Sequence, residues 1–151
     1  MKKSDVLGLV SLIVVLGGVA ALFAFAPERL EVAFQPIEVE GSALVLIEAG
    51  ELGVVVDAVL GKPGFITLHD TIGDAPSTIL ASSDLLDEGI HSAITLAVSG
   101  GLDPLLNYVM LMVADDGDGV YEPGVDRPVM VNGEVIRVPV ELTPNESSST
   151  K

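Results

Sequence analysis

The sequence predicts an all-β fold, a two-sheet sandwich of about seven or eight short antiparallel strands after one N-terminal transmembrane helix. Apolar, β-branched runs recur about every ten residues from 42 to 142, and Gly, Pro, Asp or Asn separates them. A continuous apolar run precedes this region. The 151 residues suffice for one domain and not comfortably for two. A small barrel is the alternative architecture.

The N-terminal run extends from Val6 to Ala26, 21 residues without a charge. A helix of this length spans roughly 30 Å, the thickness of the hydrocarbon core of a bilayer. Lys2 and Lys3 precede it, so the positive-inside rule keeps residues 1–5 in the cytoplasm. We therefore expect a signal anchor at 6–26 and a single-pass cell-membrane protein whose C-terminal domain is extracytoplasmic.

A cleaved signal peptide is the main alternative, since Ala24-Phe25-Ala26 has the pattern of a cleavage site. The apolar run is longer than the usual 7–15 residues or so of a signal peptide, and Pro27 would directly follow the cut bond. A buried core helix is the third interpretation. The uncleaved anchor explains the pattern best.

Composition excludes several functions. The formal net charge of −15 repels nucleic acid, so no nucleic-acid partner is expected, and it favours cations or basic partners. Without cysteine there is no disulfide, no thiolate metal site and no cysteine nucleophile. No G-x-S-x-G, H-E-x-x-H, phosphate loop or G-x-G-x-x-G occurs, and we predict no enzymatic activity.

After the anchor, the predicted segments are described from the N-terminus to the C-terminus of the chain. Residues 27–41 form either a stalk or a first strand, and 42–142 form the sandwich. The predicted strands are ALVLIE, LGVVVDAVL, GFITLHD, STILAS, SAITLAV, LNYVMLMVA, PVMV and EVIRVPVEL. Only SSDLLDEG has helical character, with Ser83 as the cap of a single turn. Residues 143–151 are polar and predicted to be disordered, and Asn145 begins an N-x-S glycosylation sequon.

Two strands show specific local signals. Asn132-Gly133 separates two alternating runs and predicts a type I′ hairpin turn, which needs φ > 0 at both positions. In SAITLAV, Ile94 and the residues at 96 and 98 share one apolar face, which is expected to lie on a core. His91 is assigned to the opposite, polar face of that strand.

The segment ADDGDGVYEPGVD, residues 114–126, is a candidate calcium loop. Such a loop needs converging carboxylates and glycines that allow the backbone to curl around the ion. A further carboxylate would be expected at Ala114. The alternative is an acidic hairpin loop whose glycines form turns and whose acids are solvated. The candidate calcium ligands are Asp115, Asp116, Asp118 and Glu122.

The histidines and methionines raise a second metal hypothesis. Imidazole and thioether ligands suit Cu(I) in the absence of cysteine. The alternative is that the methionines fill the core, because Met110 and Met112 lie in a run that is apolar on both faces. The candidate copper ligands are His69, His91, Met110, Met112 and Met130.

Three motifs in order, GFITLHD, DEGIHSAITLAV and LMVADDGDGVYEP, resemble a family of Ig-like β-sandwich domains of unknown function. Its members occur in secreted and cell-surface proteins of haloarchaea and some bacteria. The resemblance covers Leu52 to Leu142, with Ile90 and Ala114 as departures from the family pattern. It implies an Ig-like fold and a cell-surface location, and no mechanism.

We therefore expect a membrane-anchored extracytoplasmic module that binds a surface or protein partner or serves a structural role, with calcium as a candidate cofactor. A pilin-like filament subunit is the first alternative, although Lys3-Ser4-Asp5 lacks the usual processing motif. An exported His/Met copper-binding protein is the second.

Overall fold

A computed structural model describes residues 35–142. The predicted anchor, residues 27–34 of the predicted stalk and the tail with Asn145 lie outside the described residues. No helix forms between 35 and 142, so this part of the chain holds none long and apolar enough to cross a membrane.

The described chain is all-β. Its ten strands are β1 (Ile37–Glu38), β2 (Ala43–Gly50), β3 (Gly53–Leu60), β4 (Gly64–Ile72), β5 (Ala75–Ser82), β6 (Gly89–Ala97), β7 (Tyr108–Ala114), β8 (Arg127–Val131), β9 (Glu134–Val135) and β10 (Arg137–Val140).

The strands form two sheets. The larger sheet has the order β1-β8-β7-β4-β5, with β9 added to β8 and β10 added to β7. The smaller sheet has the order β2-β3-β6. β8 and β10 lie one after the other along the same side of β7, and both are antiparallel to it. β1 is parallel to β8, so the N-terminal end of the described chain is fixed beside its last hairpin.

The two sheets share one hydrophobic core, as expected for a sandwich. Alternate residues of β3 point inward, and they meet alternate residues of β4 and β7. Burying each such aliphatic side chain contributes roughly 1.5–3 kcal/mol. Inward side chains with at most 3% exposure include Val54, Val56, Ala58, Leu60, Ile66, Leu68, Met110, Met112 and Val140.

The Asn132-Gly133 prediction is confirmed. Their φ angles are 54° and 79°, and Val131 pairs with Glu134 across the two-residue loop. Glu38 stabilises this hairpin because its carboxylate accepts hydrogen bonds from both backbone N–H groups of the turn.

The apolar face of SAITLAV is confirmed for Leu96, which is buried, but the placement of His91 is wrong. β6 contains one extra residue opposite Asp57, and Ala93 adopts φ 55° there. This β-bulge reverses the alternation on its N-terminal side. His91 therefore pairs with inward-facing Ala58, and Ile90 points outward with 81% exposure.

The predicted helical turn at Ser83 is also wrong. The segment before β6 is extended because β4 satisfies its backbone. The Ser83 N–H donates to the Ile66 carbonyl, and Leu86 and Gly64 exchange two backbone hydrogen bonds. The Ser83 hydroxyl instead accepts a bond from the Ile66 N–H.

Tyr108 holds the segment that precedes β7 in place. Its ring is buried at the start of the strand, and its hydroxyl accepts from the Asp103 N–H at 2.7 Å and donates to the Asp103 carbonyl at 3.1 Å. Met110, two residues later, is fully buried between the sheets.

Candidate functional site

The loop from Asp115 to Asp126, here called the acidic flap, joins β7 to β8 and covers part of the outer face of the larger sheet. The Tyr121 ring packs against Phe65 of β4, with centroids 5.4 Å apart and a 54° interplanar angle. Pro123 and Gly124 line a small cavity together with Val113 of β7. The flap therefore has an apolar underside and an acidic outer surface.

Two buried carboxylates hold the ends of the flap. Asp126 is 4% exposed, and its oxygens accept hydrogen bonds from the Asp116 N–H at 3.1 Å and the Glu122 N–H at 2.8 Å. Asp115 is 6% exposed and accepts from the Gly119 N–H at 3.1 Å. Each carboxylate thus satisfies backbone donors that the irregular loop would otherwise leave unpaired.

The exposed acids organise the tip of the flap. Asp116 accepts from the Asp118 N–H, and Asp118 accepts from the Val120 N–H at 2.8 Å. Side chains that bond the backbone two residues ahead form Asx turns. Gly117 and Gly119 have φ angles of 116° and 77°, which glycine adopts most readily.

Three of the four predicted calcium ligands come together. Asp115, Asp116 and Asp118 each offer an oxygen, and these oxygens lie within 4.8 Å of one another. Glu122 is not a member of this cluster, and its backbone N–H is bonded to Asp126. Because the carboxylates also serve the turns of the flap, the same geometry fits both the calcium loop and the acidic hairpin loop.

Sequence reasoning missed Asp126. It is the last of the five acids in the segment and directly precedes β8, so its position marked it only as the end of a loop. Its burial and two hydrogen bonds depend on the flap folding back, and spacing along the chain does not predict that contact.

Tyr121 of the flap and His69 of β4 face each other's side of the cavity under the flap, and burial shifts the pKa of both side chains. Burial raises the pKa of the Tyr121 hydroxyl, and the charge of Asp126 raises it further. Burial lowers the pKa of His69, while the bond to Ser77 and the charge of Asp70 oppose the shift. The His69 ring is bonded through Nε2 to the Thr67 hydroxyl at 2.9 Å and through Nδ1 to the Ser77 carbonyl at 3.4 Å. Since a carbonyl only accepts, Nδ1 carries the proton and Nε2 accepts from Thr67.

A groove runs from the flap across the outer face of the larger sheet. One part of it is a cavity of about 140 Å³ under the flap, with His69 and Leu111 in its wall. A cavity of about 630 Å³ adjoins it at Leu111 and Pro128, and a third of about 350 Å³ adjoins the second at Arg137. The groove is mostly apolar under the flap, and the guanidinium of Arg137 lies where the second and third cavities meet.

The structure does not bring the candidate copper ligands together. Met110 and Met112 point into the core between the sheets. His69 pairs with Val109 and so points to the opposite face of the larger sheet, and His91 belongs to the smaller sheet. The predicted role of Met110 and Met112 as core filler is confirmed.

Comparison with known proteins identifies the family of the chain. A family model described as a domain of unknown function, DUF7282, matches residues 47–143, from β2 to just beyond β10. The match covers more than half of the chain, which therefore belongs to this family. No curated protein and no solved structure matches the chain.

Proposed function

We propose that this member of the DUF7282 family is a membrane-anchored extracytoplasmic module that binds a partner at the cell surface through the groove beside its acidic flap. The groove is the observation that carries the binding role. Concave, mostly apolar surfaces with a few polar groups are where proteins usually bind ligands. The charge-free segment Val6–Ala26 supports the anchor, and the net charge of −15 suits an exposed, soluble module.

We further propose that the sandwich is Ig-like. The strand order supports this, because with β2, β3 and β6 taken as A, B and E and with β4, β7 and β8 taken as C, F and G, the two sheets divide as the A-B-E and C-F-G strands of Ig domains do. Tyr108 supports this, because Ig domains carry a tyrosine near the start of strand F whose hydroxyl bonds backbone a few residues upstream.

Groove binding is tested by retention of surface-exposed proteins on the immobilised chain. Arg137→Glu reverses the cation in the groove and should abolish retention of a specific partner. Lys62→Glu makes the same charge change outside the residues that line the groove and should leave retention unchanged. Equal retention by both variants would contradict groove binding.

The anchor is tested by membrane extraction. The full chain should resist alkaline carbonate and be degraded by protease added to intact cells. Val15→Lys with Leu16→Lys should release it, because each central lysine costs about 2.5–3.5 kcal/mol on insertion. The same pair changed to alanine is the control. A mature chain starting at Pro27 would instead support the cleaved signal peptide.

Calcium binding by the flap is the second proposal, and the cluster of three carboxylate oxygens favours it. Calcium that binds only the folded state should stabilise it by about 2.7 kcal/mol at a hundredfold excess over Kd. Thermal melting with calcium and with EDTA measures this effect. Asp116→Asn with Asp118→Asn should remove the difference, and Asp84→Asn with Asp87→Asn should keep it. Identical melting in calcium and EDTA would leave the acidic hairpin loop as the explanation.

A further inference from the structure

The turn between β8 and β9 places an exposed asparagine directly before a glycine. In such a pair the backbone nitrogen of Gly133 can attack the side-chain carbonyl carbon of Asn132, because glycine has no Cβ to hinder the approach. The nitrogen gives its proton to a base, the new N–C bond closes a succinimide ring, and the side-chain nitrogen leaves as ammonia. Water then opens the ring to aspartate or isoaspartate.

The isoaspartate product would disrupt the hairpin. In isoaspartate the main chain runs through the former side chain, which adds one carbon to the backbone of the turn. The two-residue turn sets the pairing of Val131 with Glu134, and an extra backbone atom between them does not fit that register. A chemical change at Asn132 would therefore change the structure of the last hairpin.

The geometry of the folded turn opposes this reaction. The φ angles of 54° and 79° at Asn132 and Gly133 define a type I′ turn, in which ψ of the first central residue is about +30°. At that angle the Gly133 nitrogen lies nearly opposite the Asn132 Cβ about the Cα–C bond. Ring closure needs these two atoms on the same side, so the turn must open before the bond can form.

Glu38 of β1 keeps the turn closed, although it lies 94 residues before Asn132 in the chain. Its carboxylate accepts hydrogen bonds from the Asn132 N–H at 2.5 Å and from the Gly133 N–H at 3.3 Å. The second bond engages the nitrogen that would attack. Because that nitrogen becomes negative when it loses its proton, a neighbouring carboxylate disfavours the loss. Glu38 therefore opposes the reaction by its hydrogen bonds and by its charge.

We propose that Asn132 is a site of spontaneous deamidation and that the docking of β1 controls its rate through Glu38. β1 is two residues long and is held by its parallel pairing with β8. Arg127 adds to this hold, because its guanidinium donates to the carbonyls of Gln35 and Pro36. Whenever β1 leaves β8, the turn loses both hydrogen bonds to Glu38 and can open to the reactive geometry.

The deamidation rate of the purified full chain in detergent tests the proposal. The chain is incubated at mildly alkaline pH, and chromatography with mass spectrometry separates the asparagine, aspartate and isoaspartate forms of the peptide containing residue 132. Glu38→Ala should raise the rate about tenfold, since hydrogen bonds to a charged group stabilise the closed turn by about that factor. Glu40→Ala removes an exposed acid from the same segment and should leave the rate unchanged. Exposed Asn107 is an internal reference, because Tyr108 follows it in place of glycine.

A second variant loosens β1 without changing Glu38. Arg127→Ala should raise the rate about threefold, because β1 keeps its pairing with β8 and loses two side-chain bonds. In urea, all the variants should react at one common rate that exceeds the rate of the folded wild-type chain, since the turn is then absent.

A Glu38→Ala rate at or below the wild-type rate would overturn the proposal. So would a folded wild-type chain that reacts as fast as it does in urea. If Glu38→Ala reacts at its urea rate at Asn107 as well, that variant is unfolded, and Arg127→Ala decides the question. An unchanged rate in Arg127→Ala would then reject control by β1.

Discussion

The outer faces of the two sheets are both rich in apolar residues, yet residues 35–142 fold over only one of them. On the larger sheet, Phe65 is 2% exposed and Leu111 is 5% exposed, although both point away from the shared core. On the smaller sheet, Ile90 is 81% exposed at a comparable outward position. The difference arises from the flap, whose Tyr121 packs on Phe65 and whose Pro123 and Gly124 close over β7.

This contrast separates two uses of an apolar sheet face. Where the chain folds back, outward residues become a second, smaller hydrophobic layer that contributes to stability. Where residues 35–142 do not fold back, the outward residues stay exposed and contribute little to stability. The contrast therefore predicts that substitutions on the two faces have very different effects.

The largest effect is expected for Phe65→Ala. Removing a buried phenylalanine costs about 3–5 kcal/mol, since it leaves a cavity and here also removes the ring on which Tyr121 packs. Urea unfolding monitored by tyrosine fluorescence measures the loss. A cost below about 1 kcal/mol would show that the flap does not cover this face in solution.

Asp126→Ala should destabilise the chain by about 2–3 kcal/mol, because two backbone N–H groups of the flap lose a charged acceptor. Asp126→Asn keeps one acceptor oxygen and should cost about half as much. The exposed Asp118→Asn is the control, with a loss of no more than about 0.5 kcal/mol. Equal losses for Asp126→Ala and Asp118→Asn would mean that the buried carboxylate does not hold the flap.

Acidification should lower the stability of the folded chain through His69, which lies on the covered outer face of the larger sheet. Its pKa in the folded chain is lowered from 6.5 by burial, so the unfolded chain binds the proton more readily. The full stability is present above pH 6.5 and declines as the pH falls below it toward the lowered pKa. The slope from this group is at most about 1.4 kcal/mol per pH unit.

Comparing a His69 variant with a His91 variant isolates the contribution of His69 to the pH dependence of stability. In urea unfolding at a series of pH values, His69→Gln should lose this part of the pH dependence, and His91→Gln should retain it. A native-like slope in His69→Gln would assign the effect to other groups.

The smallest effect is expected on the uncovered face. Val45→Thr or Ile90→Thr should change stability by less than about 0.5 kcal/mol, since each side chain is mostly exposed. Urea unfolding at low protein concentration measures this. A loss above about 1 kcal/mol would mean that another part of the same chain covers the face.

Local sequence signals predicted much of the fold. Alternation located most of the strands, and Asn132-Gly133 defined its hairpin correctly because backbone geometry at that turn depends on two residues alone. The run EVIRVPVEL reads as one strand, but it forms β9 and β10. The Ile136 N–H donates to Val129 and its carbonyl accepts from Met112, so the chain changes partner at that residue.

The candidate site was harder to predict because its contacts depend on how the loop folds, which the spacing of its residues does not determine. The three clustered acids were recognised from spacing. The role of Asp126 was not, because it depends on the loop folding back so that its carboxylate reaches the N–H groups of Asp116 and Glu122. The bulge at Ala93 was also missed, since neither alanine nor its neighbours signal φ > 0. One extra residue then reversed the predicted orientation of His91.

The parallel pairing of β1 with β8 has a mechanical consequence. Arg127 also binds the carbonyls of Gln35 and Pro36, so the start of the described chain is held laterally to the last hairpin. Tension applied between residues 35 and 142 would pull β1 and β10 in opposite directions along the strand axes, and the bonds of β1 would break together in shear instead of one by one. Single-molecule stretching should therefore record a lower rupture force for Arg127→Ala.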